Sequence, residues 1–215
     1  MSTTTDRPLR ADAVRNRALI VDAARRLFAE RGLDVTLHDV AEAAGVGVGT
    51  VYRRFPDKDA LLGGLLAAKY ETLVGLAERA LAEPTGRQAL RSYLLGAMEL
   101  RASDRALSTA VLRAAPQTQQ AAELRERLHR VVEGVVDRAR AEGAVRQGFT
   151  GQDVPAVTSM IGSIADRSRD ELPGAWRRYG LLVVDAVCPP DGPLGPLTGA
   201  PLPAPTATSC VVSPT

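Results

Sequence analysis

Glycine and proline residues divide this chain into segments whose apolar residues recur at the spacing of an α-helix. These breakers stand at residues 32, 45, 47, 56, 84, 116, 143, 148, 151, 173, 189 and 190. Segments with apolar side chains three and four positions apart form amphipathic helices, and glycine or proline marks their ends. Ala, Leu and Arg, which favour helices, are the commonest of the 215 residues, and alternating β-branched residues are almost absent. The pattern predicts an all-α fold.

The first third of the chain predicts two short helices joined by a tight turn. Thr36 and Asp39 form a capping-box pattern, in which Asp takes the place of the more usual Glu or Gln. The helix that follows is short because Gly45 ends it, and the next helix spans residues 48–55. A short helix, a glycine turn and a second short helix make a helix-turn-helix arrangement over residues 36–55.

The residue types in this arrangement suit a DNA-reading unit. The contact between the two helices requires small side chains, which are supplied by Ala41, Ala44 and Gly45. Apolar anchors for the second helix are Val46, Val51 and Phe55. Its outward residues are polar or small enough to enter a major groove about 12 Å wide. They are Val48, Gly49, Thr50, Tyr52, Arg53 and Arg54.

The remaining residues predict further helices and a tail. Asp57 is a suitable N-cap for a long fourth helix. Later helices are predicted at about 87–102, 104–114, 117–142, 152–168 and 173–187. From Cys188 onward, 28 residues contain eight prolines and one charged residue, Asp191. That composition predicts a disordered tail because it supplies too little apolar surface for a packed core.

A longer ordered motif connects these observations to a known family. Residues 45–62 follow the pattern Gly-x-x-x-Gly-Thr-x-Tyr-x-x-Phe-x-x-Lys-x-x-Leu-Leu, and Leu27-Phe28, Gly32 and Thr36 precede it. This stretch resembles the DNA-binding domain of the TetR family of transcriptional regulators, over about residues 15–75. The segment RARAEGAVRQGFTGQDV is similar to the C-terminal pattern of one subgroup of that family.

The resemblance implies an N-terminal three-helix helix-turn-helix DNA-binding domain followed by a helical ligand-binding and dimerisation domain. The expected divisions are a flexible N-terminal arm (1–12), the DNA-binding domain (13–75, with the helix-turn-helix proper at 36–55), the helical domain (76–187) and the Pro-rich disordered tail (188–215).

The resemblance also implies roles for individual residues. Thr36, Tyr52 and Lys58 are expected to contact backbone phosphates. Base reading is expected from Val48 and Gly49 at the front of the recognition helix. The remaining expected DNA-binding residues are Arg15, Arg17, Gly47, Thr50 and Arg53. Gly47 departs from the Ser or Thr often found at its position and offers no hydroxyl for capping. An alternative reading of Tyr52 is an amphipathic core residue.

In the second half, the family resemblance implies a ligand cavity among the middle helices and a dimer formed by the last two. Candidate cavity residues are Tyr93, Leu94, Met98, Leu112, Leu128, His129, Val132 and Met160. Candidate dimer residues are Val157, Ile161, Ile164, Trp176, Tyr179, Leu182 and Val183. The alternative is that both sets are ordinary core residues of a monomer.

Other classes of function lack their motifs. The run Gly45-Val46-Gly47-Val48-Gly49 follows a helix and is not followed by Gly-Lys-Ser/Thr, so it is not a nucleotide-binding loop. The two histidines are far apart, and no HExxH or Gly-x-Ser-x-Gly motif occurs. We therefore expect no enzymatic activity, metal or cofactor. No secretory signal or spanning segment is recognised, so a cytoplasmic location without membrane association is expected.

The predicted function is that of a transcriptional repressor. A homodimer would bind a palindromic operator in double-stranded DNA and be released by a small apolar ligand. One open alternative is an effector-independent DNA-binding activator or architectural factor. Another is a helical interaction or ligand-sequestering module with a vestigial DNA-binding head. The net charge of only +2 and the Gly47–Gly49 leading edge favour that last alternative.

Overall fold

A computed structural model describes residues 6–103, 118–191 and 202 of the chain. Within these ranges the chain is helical, without strands, and the expected all-α fold is confirmed. A 3₁₀ turn at Gly32–Asp34 follows the first helix. The α-helices of the described residues are α1 (Asp6–Arg31), α2 (Leu37–Ala44), α3 (Val48–Arg54), α4 (Lys58–Leu81), α5 (Gly86–Ser103), α6 (Gln119–Ala141), α7 (Val154–Ser168) and α8 (Trp176–Val187). The helix predicted at 104–114 lies outside the described residues.

The first helix is longer than the sequence analysis expects. It begins at Asp6, so residues 6–12 are helical although they were expected in a flexible arm. Pro8 is compatible with this start because the N–H groups of a first helical turn have no partner within the helix. Leu9, Arg10 and Ala11, which follow, are good helix formers.

Two apolar cores divide the described chain. The first contains the buried faces of α1, α2 and α3 with residues 61–67 of α4, and Ala121 at the start of α6 joins it. The second contains Ala77 and Ala80 of α4 together with buried residues of α5, α6, α7 and α8. Because α4 is one continuous helix, the two cores share an element rather than being joined by a flexible linker.

α4 and α6 run side by side in the same direction. At one end, a Cβ atom on Gly63 would lie 2.4 Å from Thr118 Cγ2, so glycine permits the close approach. Further along, Arg127 Nη2 lies 2.5 Å from Glu78 Oε1. At the far end, Arg138 Nη1 donates to the Leu81 carbonyl at 2.9 Å. By length and composition α4 is apolar enough to cross a membrane, but residues 61–67 are buried in the first core.

The residues directly after α8 pack against α5, although a disordered tail is predicted to begin at residue 188. Cys188 is buried, and its carbonyl accepts a hydrogen bond from Arg91 Nη1 at 2.6 Å. Arg87 Nε lies 2.7 Å from Asp191 Oδ1. The prediction is therefore wrong for residues 188–191, because two arginines of α5 hold them. Residues 192–201 and 203–215 of the predicted tail lie outside the described part of the chain.

The junction of α5 with α6 gives a stability prediction. A Cβ atom on Gly86 would lie 2.6 Å from the carbonyl carbon of Arg138 and 2.7 Å from the nitrogen of Ala139. Because these are backbone atoms, they cannot turn aside, and we expect Gly86→Ala to lower the free energy of unfolding by about 1–3 kcal/mol. The control is Gly134→Ala within α6, where no atom lies within 4 Å of the added Cβ.

Urea denaturation of both variants measures the effect. Gly134→Ala is expected to raise the free energy of unfolding by up to about 1 kcal/mol, because alanine is the better helix former. Equal changes in the two variants would contradict close packing at Gly86.

Candidate nucleic-acid interface and ligand cavity

α2 begins with a complete capping box. The Asp39 backbone N–H donates to Thr36 Oγ1 at 3.2 Å, and the Thr36 backbone N–H donates to Asp39 Oδ2 at 2.8 Å. The Thr36 hydroxyl also donates to Asp39 Oδ2 at 2.6 Å. These bonds, with a smaller contribution from Arg31, hold the pKa of the Asp39 carboxyl below its ordinary value of 3.8. The capping pattern predicted with Asp in place of Glu is confirmed.

The turn after α2 depends on a left-handed glycine. Gly45 has φ +65° and ψ 30°, a conformation that a side chain disfavours. The N–H of Val46 donates to the Ala41 carbonyl at 3.1 Å, and the N–H of Gly45 donates to the Glu42 carbonyl at 3.1 Å. These bonds satisfy carbonyls at the end of α2 and set the direction in which α3 leaves the turn.

The name head is used here for α1, α2, α3 and the first half of α4, which share the first core. Within the head, α3 is held by one buried face. Val51 is fully buried, and Phe55, directly after the helix, is 5% exposed. A Cβ atom on Gly64 of α4 would lie 2.7 Å from Phe55 Cε1. Because glycine has no side chain, this position leaves room for the Phe55 ring. Gly47 is the N-cap of α3 and makes no side-chain cap, as its type predicts. The helix position is therefore set by packing rather than by capping.

The opposite face of α3 is open to solvent. Tyr52 is 49% exposed and Val48 is 37% exposed, so Tyr52 is not a core residue. Arg53 is exposed, and its Nη2 donates to Thr50 Oγ1 at 3.2 Å. The expected base-reading and phosphate-binding residues of α3 thus share one accessible surface. This recognition surface consists of Gly47, Val48, Gly49, Thr50, Tyr52 and Arg53.

The other expected DNA-binding residues lie outside α3. Thr36 is exposed at the start of α2, with its hydroxyl bonded to Asp39. Lys58 is the first residue of α4; its Nζ donates to the Leu33 carbonyl and lies 6.0 Å from the centre of the Phe28 ring. Arg15 is exposed and Arg17 half-buried, both on α1. Their phosphate contacts remain predictions.

A cavity of about 940 Å³ lies among α4, α5, α6 and α7. Tyr93, Leu128, His129 and Val132 line it, as four of the eight candidate residues were expected to do. Further lining residues not singled out from the sequence include Lys69, Tyr70, Leu73, Ala97, Leu100, Arg101, Glu123, Arg125, Glu126, Val154 and Thr158.

The other cavity candidates lie elsewhere. Leu94 and Met98 are fully buried in the second core and do not line the cavity, because their face of α5 turns toward α8. A Cβ on Gly180 of α8 would lie 3.2 Å from Met98 Sδ. Met160 is 54% exposed on the outer side of α7 and also does not line the cavity. Leu112 lies outside the described residues.

The candidate dimer residues separate into covered and exposed groups. Val157, Ile161 and Trp176 are buried within the single chain, so these three need no partner to cover them. Leu182 is 45% exposed on α8, and Met160 on α7 is exposed as well. The half-buried members are Ile164, Tyr179 and Val183. Among these, the Tyr179 hydroxyl accepts a hydrogen bond from the backbone N–H of Leu202 at 3.0 Å.

Comparisons with known proteins agree with this architecture. Residues 20–65 match the model of bacterial regulatory proteins of the tetR family, and residues 85–185 match that of the SbtR-like transcriptional regulator C-terminal domain. The chain belongs to the TetR family of transcriptional regulators. Members of this family are non-enzymatic DNA-binding proteins, so this chain is a DNA-binding transcriptional regulator and not an enzyme.

Individual relatives extend the comparison. The HTH-type transcriptional regulator SAB2452 of Staphylococcus aureus is 41% identical over 54 residues, which are 25% of this chain and 29% of that protein. The TetR transcription regulatory protein of Mycobacterium vanbaalenii has 27% identity and a TM-score of 0.60, covering 84% of this chain and 99% of its own. TetR regulator SCO0520 of Streptomyces coelicolor has 28% identity and a TM-score of 0.60, with 80% and 98% covered.

Two residues that shape the interface and the cavity of this TetR-family regulator, Gly64 and Arg101, were not among the residues predicted from the sequence. Gly64 accommodates Phe55, but no local pattern distinguishes it from other helical glycines. Arg101 lines the cavity, and a signal for it was present: Tyr93, Ala97 and Leu100 stand on the same helical face. The candidate lining residues predicted from the sequence were aliphatic, Met, Tyr and His side chains, and Arg101 was not among them.

The capping box gives a pH prediction. Because the pKa of Asp39 is lowered in the folded state, its ionised carboxyl stabilises the fold above its ordinary pKa, and this contribution is lost as pH falls through the lowered value. We expect Asp39→Asn to destabilise the chain equally at about pH 5 and pH 7, and less below about pH 4. Urea denaturation at each pH measures this difference.

Thr36→Ala is the matched variant, because it removes the largest cause of the Asp39 shift. It is expected to cost about 1 kcal/mol at pH 7 and to weaken the pH dependence. An Asp39→Asn effect that is the same at pH 3 and pH 7 would exclude the capping role.

Proposed function

We propose that this regulator is a homodimeric repressor that binds a palindromic operator in double-stranded DNA and is released by a small ligand. The observation that best supports DNA binding is the recognition surface, in which α3 buries Val51 and leaves Val48 and Tyr52 accessible. A helix held in this way can enter a major groove while its anchors stay in the core. The proposed place of action is the cytoplasm, where the DNA is.

Twofold symmetry follows from the operator we propose. A palindromic site presents two half-sites about 34–36 Å apart, or a multiple of that distance, and two recognition helices related by a dyad match them. Exposed Met160 and Leu182 on neighbouring helices α7 and α8 supply apolar surface for a second copy. The buried residues Val157, Ile161 and Trp176 support that surface from within rather than forming it.

Ligand release is proposed to act through α4. Lys58 at its first turn belongs to the head, whereas Lys69, Tyr70 and Leu73 of the same helix line the cavity. Lys58 and Lys69 are roughly 16 Å apart along the helix axis. A ligand that binds better to a conformation with a different α4 position shifts the population away from the DNA-binding state.

Two alternative functions, an effector-independent activator and a module with a vestigial DNA-binding head, have less structural support than the proposed repressor. A well-packed C-terminal domain without a cavity favours an effector-independent activator, whereas this domain contains a cavity of about 940 Å³. A vestigial head predicts loss of the capping box or of the α3 anchors, and both are intact. The repressor with a releasing ligand is therefore the best supported function.

DNA binding is tested by fluorescence anisotropy with the duplex immediately upstream of the gene and a scrambled duplex. We expect the specific duplex to bind roughly a thousandfold or more tightly, with affinity falling steeply as salt rises. Tyr52→Phe should weaken binding, and Lys58→Ala should reduce the salt slope by about one per subunit.

Arg130→Ala is the matched control, because it removes a positive charge from an exposed position on α6, far from the head in the chain. It should leave affinity and slope unchanged. Equally weak binding to both duplexes, and to every fragment recovered in a genome-wide selection, would refute the DNA-binding role of the recognition surface.

The dimer is tested by sedimentation velocity. Leu182→Glu places a charge on the exposed surface of α8 and should convert the dimer to monomer, because an interface buries that position without a partner for the charge. Leu81→Glu is the control: Leu81 is 37% exposed at the end of α4 and lies outside α7 and α8. Dimers that persist unchanged in Leu182→Glu would place the interface elsewhere.

A further inference from the structure

One face of α5 forms a wall of the cavity. Tyr93, Ala97, Leu100 and Arg101 lie on this face at helical spacing and all line the cavity. From Tyr93 to Arg101 the wall extends about 12 Å along the helix axis. Its two ends are polar, and the residues between them are apolar.

Arg101 is held in place with part of its hydrogen-bonding capacity unused. Its side chain is 12% exposed, and its Nη2 donates to Asp166 Oδ2 at 2.8 Å. Asp166 Oδ1 accepts a second hydrogen bond from Arg169 Nη2 at 2.8 Å. Gly162 leaves room for the guanidinium, because a Cβ there would lie 2.6 Å from Arg101 Nε. Among the described residues, the buried Nη1 atom of Arg101 has no acceptor.

A buried guanidinium nitrogen without an acceptor is unfavourable, and a carboxylate is the group that matches it best. Asp166 already fixes the orientation of Arg101, so a ligand does not have to order the side chain first. Arg101 lines this end of the cavity, so an acidic oxygen that reaches its guanidinium, after a small turn that uncovers Nη1, satisfies the unused donor.

The charged side chains of the lining are three cations and two carboxylates, and this net positive charge favours an anion. Lys69 and Arg125 line the cavity along with Arg101. The lining carboxylates are Glu123 and Glu126, which are exposed and already accept hydrogen bonds from Gln119 and Arg130, at 3.0 and 2.9 Å. A cationic ligand would have to compete with those partners.

The remainder of the lining is suited to an apolar body. Its aliphatic members include Leu73, Ala97, Leu100, Leu128, Val132 and Val154. At the far end Tyr93 is 3% exposed, and among the described residues its hydroxyl makes no hydrogen bond. Burial raises the pKa of this phenol, so it stays protonated and can donate one. The volume is within the range of sites for drug-sized ligands.

We propose that the ligand of this cavity is an amphipathic carboxylate, with its carboxylate bound by Arg101 and its apolar body directed along α5 toward Tyr93. This inference rests on the proposed function for its regulatory consequence, and it narrows the apolar ligand expected from the sequence to an apolar acid. Arg101 then determines which class of ligand binds.

The test compares three probes of equal chain length by isothermal titration calorimetry on the full chain without DNA. They are decanoate, 1-decanol and decylammonium. We expect decanoate to bind at least about tenfold more tightly than 1-decanol, because a hydrogen bond to a charged group is gained, and decylammonium to bind most weakly. Equal affinity for decanoate and 1-decanol, or no binding of any probe, would overturn the proposal.

Variants of Arg101 test whether this residue causes the preference for decanoate over 1-decanol. Arg101→Met should reduce decanoate affinity to that of 1-decanol while leaving 1-decanol affinity unchanged, and Arg101→Lys should retain part of the preference. Arg177→Met is the control, since Arg177 also pairs with a carboxylate, Glu99 at 2.7 Å, but does not line the cavity. Undiminished decanoate binding in Arg101→Met would contradict the role of Arg101. If that variant does not fold, the Arg101→Lys and wild-type probe comparisons still decide.

Repeating the DNA anisotropy titration with saturating decanoate separates this proposal from the proposed function. Decanoate that binds through Arg101 but leaves DNA affinity unchanged would remove ligand release from the proposed function and keep the ligand class. Decanoate that fails to bind while DNA binding is specific would refute the ligand class alone.

Discussion

Burial of α4 in two separate cores holds the described chain together. Its first half packs with α1, α2 and α3, and Ala77 and Ala80 in its second half pack with the helices of the C-terminal domain. α6 follows it throughout, from the Gly63–Thr118 approach to the hydrogen bond between Arg138 and the Leu81 carbonyl. In the proposed release mechanism, displacement of α4 at the cavity reaches the head because both cores share this continuous helix.

In the head, a small number of closely packed residues positions the recognition helix α3. Gly45 turns the chain, Val51 and Phe55 anchor α3, and Gly64 makes room for the Phe55 ring. None of these residues faces outward. The outward residues are therefore free to vary with the DNA sequence without disturbing the packing that presents them.

The cavity combines an apolar interior with a fixed charge. Asp166 holds Arg101 in a set orientation, and Gly162 provides the space in which its guanidinium lies. Charges buried in this way are unfavourable unless they are paired. In our proposal, the unused donor of Arg101 is the recognition element for the ligand.

The sequence by itself determined the helical class, the capping box at Thr36 and Asp39, the glycine turn and the family, because these features depend on residues close together in the chain. Only the tertiary structure decided which α5 face lines the cavity, that Leu94 and Met98 belong to the core, and that Arg87 and Arg91 hold residues 188–191. Those outcomes depend on contacts between helices distant in sequence, and the apolar spacing of one helix does not specify which neighbour covers each face.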